Sequence, residues 1–238
     1  MALPLTYQSR LIQKIQHTAR TKDFVLELSE PESIEFKAGQ FVIVKGTRPD
    51  GSAIQRSYSI ASAPQQTSQL VLNIEILPHG QFTPIMDGWD IGSDVTFQGP
   101  FGHFVFKSPG DVDLVFVGTG TGVAPLKSMI EDQLNRGSKQ KMHLYFGLRS
   151  QEHIFYQDHF EALAQKHENF DFTLCLSRPE EGWDGFSGRV TALLPTLKFQ
   201  PNTHFYLCGG KPMIDDVKAL LNEKGFEKSH IFFEQFFL

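Results

Sequence analysis

The segment Arg56-Ser57-Tyr58-Ser59-Ile60-Ala61-Ser62 carries a cation, a phenol and three hydroxyls on what reads as a strand, just before a turn at Ala63-Pro64. A strand with one face in a core alternates apolar and polar residues. Here one row is Ser57, Ser59 and Ala61, and the other is Arg56, Tyr58 and Ile60, so the segment packs little and donates much. A second chemical segment is "VFVGTGTGVAPLKSM", where a buried strand ends in Gly118-Thr119-Gly120-Thr121-Gly122 and a helix begins with Pro125 in its first turn. Proline costs nothing there, because that N–H has no helical partner. Glycines let backbone N–H groups approach an anion, and the helix start adds partial positive charge, so the turn suits a phosphate. It is neither the G-x-G-x-x-G/A fingerprint, since Val123 or Pro125 stands where the third small residue belongs, nor a P-loop, since Leu126 replaces the glycine before Lys127-Ser128. A third segment, Leu207-Cys208-Gly209-Gly210-Lys211-Pro212-Met213, repeats the strand–glycine–helix order. It sets Cys208 at the carboxyl end of a strand, where open α/β sheets bind ligands. Taken alone, such a cysteine reads equally as a small buried hydrophobe.

Two kinds of element must position these residues. Up to about Lys107 the pattern is all β, with strands expected at 11–16, 24–28, 40–44, 70–76 and 94–98 between Gly/Pro turns, and a helical stretch only near 80–87. Short strands at this spacing predict a sandwich or barrel. From Asp113 onward, apolar strands such as "DLVFVG", "KMHLYFG", "FDFTLCLS" and "HFYLCG" alternate with helix-like "APLKSMIEDQLNRG", "HIFYQDHFEALAQKH" and "PMIDDVKALLNEKG". That alternation predicts a doubly wound parallel sheet. The expected fold is an N-terminal antiparallel β-barrel over residues 1–108 and a C-terminal α/β domain over 112–238, divided at the polar turn "KSPGD".

Bulk properties exclude several classes. With 40% hydrophobic residues, 21% charged and a net charge of −5, the chain is ordinary globular protein without the basic clusters that nucleic acid demands. No apolar run approaches the roughly 18–20 residues of a membrane span. The start lacks the cationic-then-apolar order of a signal peptide. Two cysteines, Cys175 and Cys208, make neither a disulfide framework nor a four-thiolate cluster, and no metal site is expected. A cytoplasmic, reduced protein is the expectation. Phenylalanine is abundant at 22 residues, as for a Phe-rich core, and several of them crowd the end of the chain.

"RSYSIAS", "GTGTGVAP" and "YLCGGKPMIDDV", in this order and spacing, resemble the ferredoxin–NADP reductase family of flavoproteins. "FKAGQFVIV", "HGQFT" and "GPFGHF" resemble that family's early barrel strand, second flavin-phosphate loop and barrel end. The resemblance covers nearly the whole chain and implies bound FAD. Arg56, Tyr58 and Ser59 fit the family's Arg-x-Tyr-Ser without departure. It implies that Arg56 pairs with the flavin pyrophosphate, Tyr58 packs on the isoalloxazine, and Ser59 lies near N5, with Ser57 in the same strand. Tyr58 and Ser59 can serve one flavin only if the strand ends or twists there. Gly80, Gln81 and Thr83 match the phosphate loop; Gly118, Thr119, Gly120, Thr121, Gly122 and Pro125 match the nucleotide pyrophosphate turn; Cys208 and Gly209 match the pair beside the nicotinamide. Glu234, in "FFEQFFL", matches a carboxyl-terminal acid. Plant-type members then end in a Tyr that covers the flavin; here Phe236 stands in that place and Phe237 follows, and either aromatic is suited to stack on a flat ring.

The coenzyme expected is NADPH, with NADH the alternative. Arg149, Arg178 and Arg189, with the Ser177 hydroxyl, resemble the ribose 2′-phosphate site of bacterial NADP-using members, whereas "PEEGWDGFSG" also resembles NADH-using oxygenase reductases. The expected activity is hydride transfer from NADPH to FAD where barrel and α/β domain meet, with Ser59, Cys208 and Glu234 as the catalytic set. Electrons then pass singly to a separate carrier such as ferredoxin or flavodoxin. The rivals are an NADH-dependent oxygenase-reductase component, an NAD(P)H:flavin reductase, and a non-catalytic protein with an electron-transfer or regulatory role.

Overall fold

The computed structural model describes residues 5–236. They divide into two compact units, one running to Phe106 and including Lys127–Asp132, the other holding Lys107–Leu126 and the chain from Gln133.

The first unit is a curled antiparallel sheet of β1 (Leu5–Gln16), β2 (Thr21–Glu30), β3 (Phe41–Thr47), β4 (Ala53–Ser59), β5 (Gln69–Glu75) and β6 (Asp94–Phe101), with the short helix α1 (Thr83–Asp87). The strand order is β4-β3-β6-β1-β2-β5. Its two ends meet through an isolated bridge between Ile60 and Leu72, aided by the Ala61 N–H donating to the Val71 carbonyl at 2.8 Å, so the sheet curls on itself. Alternation explains the inside: in β6, Val95 and Phe97 are buried while their neighbours are not. These side chains join Phe24, Leu26, Val42, Val44 and Leu72 in one core. Sheets that leave one face to water show this period of two. The helical stretch expected at 80–87 is shorter, because Pro84 favours a helix's first turn and so starts α1 only at Thr83.

The second unit is a parallel sheet in the order β10-β9-β8-β7-β11-β12. Its strands are β7 (Leu114–Thr119), β8 (Met142–Leu148), β9 (Phe170–Leu176), β10 (Phe186–Ser187), β11 (His204–Gly210) and β12 (Ile231–Phe236), with helices α2 (Val123–Asn135, whose middle, Lys127–Asp132, groups with the first unit), α3 (Gln157–Lys166), α4 (Val190–Leu193) and α5 (Lys211–Glu223). Nearly every residue of β7 and β11 is buried, as for central strands covered on both faces. Helix α5 packs through Ile214, Val217 and Leu221, spaced three and four apart on one face. Alternation of strand and helix thus yields the expected doubly wound sheet. The expected helix over "HIFYQDHFEALAQKH" is interrupted: Gln151–His153 forms a separate 3-10 turn, and Tyr156 takes a left-handed φ of 60° before α3 begins. The Phe-rich carboxyl end forms the edge strand β12, parallel to β11.

Candidate functional site

In the first unit, β4 carries Arg56, Ser57, Tyr58 and Ser59 and ends at Ser59. The strand end required for Tyr58 and Ser59 to serve one ligand is therefore present. The Arg56 guanidinium lies exposed and donates to the Gln81 Oε1 at 3.0 Å and to the Gln55 carbonyl at 2.8 Å. This joins strand β4 to the loop before α1 and leaves guanidinium donors for an anion. Tyr58 is half-buried, and burial pushes its phenol far above the usual range, so it stays a neutral ring. It stacks on Phe82 with centroids 6.2 Å apart. Ser59 is nearly buried, and its hydroxyl makes no hydrogen bond among the described residues.

The loop 77–83 is organised differently from the sequence expectation. The Gly80 N–H donates to the Leu77 carbonyl at 2.8 Å, and the Thr83 hydroxyl accepts the Leu77 N–H at 2.9 Å. Both groups thus shape the loop itself. The backbone donors that it leaves uncommitted among the described residues are those of His79, Gln81, Phe82 and Thr83. Sequence reasoning missed Phe82, because a phenylalanine in "HGQFT" carries no signal that its amide is left without an acceptor.

In the second unit the residues of three distant segments converge. Gly118 of β7, Cys208 of β11 and Glu234 of β12 occupy one row across the sheet, since Cys208 is the register partner of both others. Strands spaced by about 4.8 Å put such a row within one ligand's width. The glycine turn follows β7 as a 3-10 turn, Gly120–Gly122, leading into α2. A Cβ on Gly122 would lie 2.5 Å from the Cys208 carbonyl oxygen, and one on Gly209 would lie 2.2 Å from Thr119 Oγ1. Two glycines are thus what allows the two turns to touch. Pro125 sits in the first turn of α2, as its missing N–H requires.

Cys208 has no exposed surface, and burial, reinforced by Glu234, pushes its thiol well above the usual range. It is a neutral, buried thiol rather than a thiolate. Glu234 is pushed up to about 7 by burial, and its Oε2 is buried without a hydrogen-bond partner. A carboxyl in this state carries a proton for part of the time at neutral pH. Phe236 ends β12 as the register partner of Gly210. Phe237 lies outside the described residues.

The three arginines gather at the carboxyl ends of the outer strands. The Arg178 N–H donates to the Arg149 carbonyl at 2.7 Å, the Ser177 N–H donates to the Leu148 carbonyl at 3.0 Å, and Arg189 directly precedes α4. Arg149, Ser177, Arg178 and Arg189 are all exposed. Among the described residues no carboxylate pairs with any of these guanidinium groups, although Glu180 and Glu181 are close in sequence. Glu180 is instead clasped through its backbone, which donates to Gln151 Oε1 and accepts from Gln151 Nε2 at 2.9 and 3.1 Å. A separate 370 Å3 cleft opens at the opposite, amino-terminal ends of β7, β8 and β9, and none of the site residues lines it.

A curled antiparallel sheet and a parallel α/β sheet with its glycine turn define the class: a two-domain oxidoreductase binding a flavin and a nicotinamide dinucleotide. Residues 8–106 match the oxidoreductase FAD-binding domain, and residues 116–219 match the oxidoreductase NAD-binding domain. The chain belongs to the ferredoxin reductase-like family of FAD- and NAD-binding oxidoreductases. It is 33% identical over 237 residues to one component of the Na(+)-translocating NADH-quinone reductase of Marinomonas sp., covering 92% of this chain and 57% of that protein. The chain therefore spans little more than half the length of that relative. A ferredoxin NADP+ reductase from Neisseria gonorrhoeae, solved with FAD and NADP, superposes with a TM-score of 0.84 at 25% identity, over 98% of this chain and 99% of that one. A cytochrome P450 reductase from Amycolatopsis superposes with a TM-score of 0.88 at 25% identity, over 99% of this chain and 71% of the other. No helix among the described residues is long and apolar enough to cross a membrane.

Proposed function

We propose that this protein is an FAD-dependent NADPH reductase that passes electrons singly to a separate carrier protein such as ferredoxin or flavodoxin. The observation that carries the donor's identity is the set Arg149, Arg178 and Arg189, three exposed guanidinium groups at one sheet edge without a carboxylate partner among the described residues. Unpaired guanidinium forks suit a ribose 2′-phosphate, and Ser177 adds a hydroxyl. In this reading residues 1–108 form the flavin domain and 112–238 the nucleotide domain, working in the cytoplasm.

Bound FAD supplies N5, the atom that accepts hydride and allows electrons to leave one at a time. The chain's own residues bind, orient and shield. Arg56, held by Gln81, meets the pyrophosphate together with the open amides of Gln81, Phe82 and Thr83; Gly80 and the Thr83 hydroxyl keep that loop in shape. Tyr58 offers a neutral ring to the isoalloxazine, Ser57 flanks it, and Ser59 offers a hydroxyl. Gly118, Thr119, Gly120, Thr121, Gly122 and Gly209 admit the nucleotide's pyrophosphate, with Pro125 starting the helix behind them. Cys208, buried and neutral, backs the strand end where the nicotinamide would lie. Glu234 holds a proton at its carboxyl near neutral pH and can release it there. Phe236 offers an aromatic ring of the kind that stacks on a flat cofactor ring.

Anaerobic addition of NADPH is expected to bleach the flavin absorbance, and a flavin bleached by neither NADPH nor NADH overturns the enzyme reading. Arg178→Ala is expected to raise KM for NADPH about 10–100-fold, the scale of one lost charge-assisted contact, with KM for NADH unchanged. A second reading takes NADH as the donor and rests on the likeness to the Marinomonas NADH-quinone reductase component. A wild-type ratio of kcat/KM for NADPH over NADH below one decides for it.

A further inference from the structure

Arg178 has acidic neighbours, since Glu180 and Glu181 follow it in the chain. A guanidinium that forks onto a carboxylate has those donors spent. The backbone shows what keeps the two signs apart. Strand β9 ends at Leu176, yet the chain beyond it stays tied to the end of β8. The Ser177 N–H donates to the Leu148 carbonyl at 3.0 Å, and the Arg178 N–H donates to the Arg149 carbonyl at 2.7 Å. Pro179 has no N–H and a fixed φ. The next donor, the Glu180 N–H, meets no backbone acceptor, because the facing chain has left the ladder for the 3-10 turn Gln151–His153.

The side-chain amide of Gln151 replaces the missing peptide. Its Oε1 accepts the Glu180 N–H at 2.9 Å, and its Nε2 donates to the Glu180 carbonyl at 3.1 Å. A glutamine amide carries the same donor and acceptor as a peptide group, so it adds one rung to the ladder past Arg149 and Arg178. Gln151 is itself held in its turn: the Ile154 N–H donates to the Gln151 carbonyl at 3.0 Å, and the Ser150 hydroxyl bonds His153 Nδ1 at 2.8 Å. The Glu180 carbonyl also accepts the Trp183 N–H at 3.4 Å, which closes a turn with Gly182 at a φ of 87°. Glycine supplies that left-handed third position. The chain therefore reverses at Glu180 and carries Glu181 onto the exposed corner of the turn. On the return, the Trp183 indole N–H donates to the Phe186 carbonyl at 3.2 Å. One side chain pins the point of reversal.

We propose that Gln151 is a positioning residue for coenzyme choice: by pinning Glu180 it holds Arg178 clear of the two carboxylates that follow, and so keeps that guanidinium open to an incoming phosphate. The proposal rests on the NADPH reading above and adds to it the device that keeps the arginine unpaired. Without the clasp, the segment after Arg178 is released to fold back, and Glu180 or Glu181 either captures the guanidinium or repels a ribose 2′-phosphate. The test uses the full chain with bound flavin and compares wild type with Gln151→Met, which keeps the side chain's length and loses both hydrogen bonds. Gln151→Asn, one carbon too short to bridge, gives the same readout if the methionine variant folds poorly. Steady-state kinetics with NADPH and NADH, and calorimetric titration with adenosine 2′,5′-bisphosphate and with 5′-AMP, are the measurements. Wild type is expected to favour NADPH and the 2′-phosphorylated fragment. Each variant is expected to lose about 5–30-fold of that margin, the scale of one to two net hydrogen bonds, through a raised KM for NADPH with kcat held. A margin unchanged in both variants, even where KM rises equally for both coenzymes, overturns the positioning role and leaves the NADPH reading standing. A wild type that favours NADH and binds both fragments alike overturns the NADPH reading, and the positioning role with it.

Discussion

Replacing Glu234 by Gln is expected to make the protein more stable at alkaline pH and to leave it unchanged in acid. The carboxyl lies on edge strand β12 opposite Cys208, with Oε2 buried and unpartnered, and burial raises its pKa from 4.5 to about 7. Between these two values the folded chain keeps a proton that the unfolded chain has released, so stability falls as pH rises through the window. Above pH 7 both states are ionised and the whole penalty is present; below 4.5 both are protonated and it vanishes. At about 1.36 kcal/mol per pH unit the full penalty is roughly 3 kcal/mol, and the solvent that reaches this partly exposed group brings it to about 1–3 kcal/mol. Gln cannot ionise and has nearly the same shape, so Glu234→Gln removes this term. Urea unfolding of wild type and variant at pH 4 and pH 8.5, each saturated with FAD, measures the difference. The variant should gain about 1–3 kcal/mol at pH 8.5 and nothing at pH 4. An equal gap at both pH values, or a wild type that is the more stable at pH 8.5, refutes the claim that burial of this carboxyl is what raises its pKa.

Two other substitutions probe the two units separately. Arg56→Ala removes the guanidinium that Gln81 orients, and should weaken FAD retention about 10–100-fold, measured as flavin content after gel filtration; a variant that purifies with full flavin refutes the assignment. Gly122→Ala drives a methyl to within 2.5 Å of the Cys208 carbonyl oxygen, and should cost about 1–3 kcal/mol in unfolding experiments and weaken coenzyme binding. An unchanged melting temperature would show that the turn yields freely.

Much of this architecture is legible along the chain. The switch from alternating strands to apolar strand–helix pairs near Lys107 separates a curled antiparallel sheet from a parallel one, because each pattern reports how many faces of a strand are covered. What escaped was short or lacked punctuation. The two-residue β10 carries no period, and β12 follows α5 as a Phe-rich run that local pattern does not distinguish from a tail. The interruption before α3 rests on Tyr156 in a left-handed conformation, which no residue type there announces. Likewise "HGQFT" identifies a loop, but which of its donors turn inward depends on Leu77, whose N–H and carbonyl engage Thr83 and Gly80.

Residue types and their local frames can be read straight off the chain: a cation and phenol two residues apart on a strand, glycines after buried strands, a proline where a helix begins. These follow from backbone sterics and hydrophobic period, which act over a few residues. Which distant groups share a neighbourhood is settled by packing. Register across β7, β11 and β12 sets Gly118, Cys208 and Glu234 in one row, and burial there leaves the thiol neutral and the carboxyl titrating near pH 7. The opening segment shows the same division: Arg56 is legible as a cation awaiting an anion, but its partner Gln81, in the loop before α1, comes within reach only when the sheet curls. Sheet pairing joins residues far apart in the chain, and desolvation depends on everything packed around a group; neither is written in any short stretch of it.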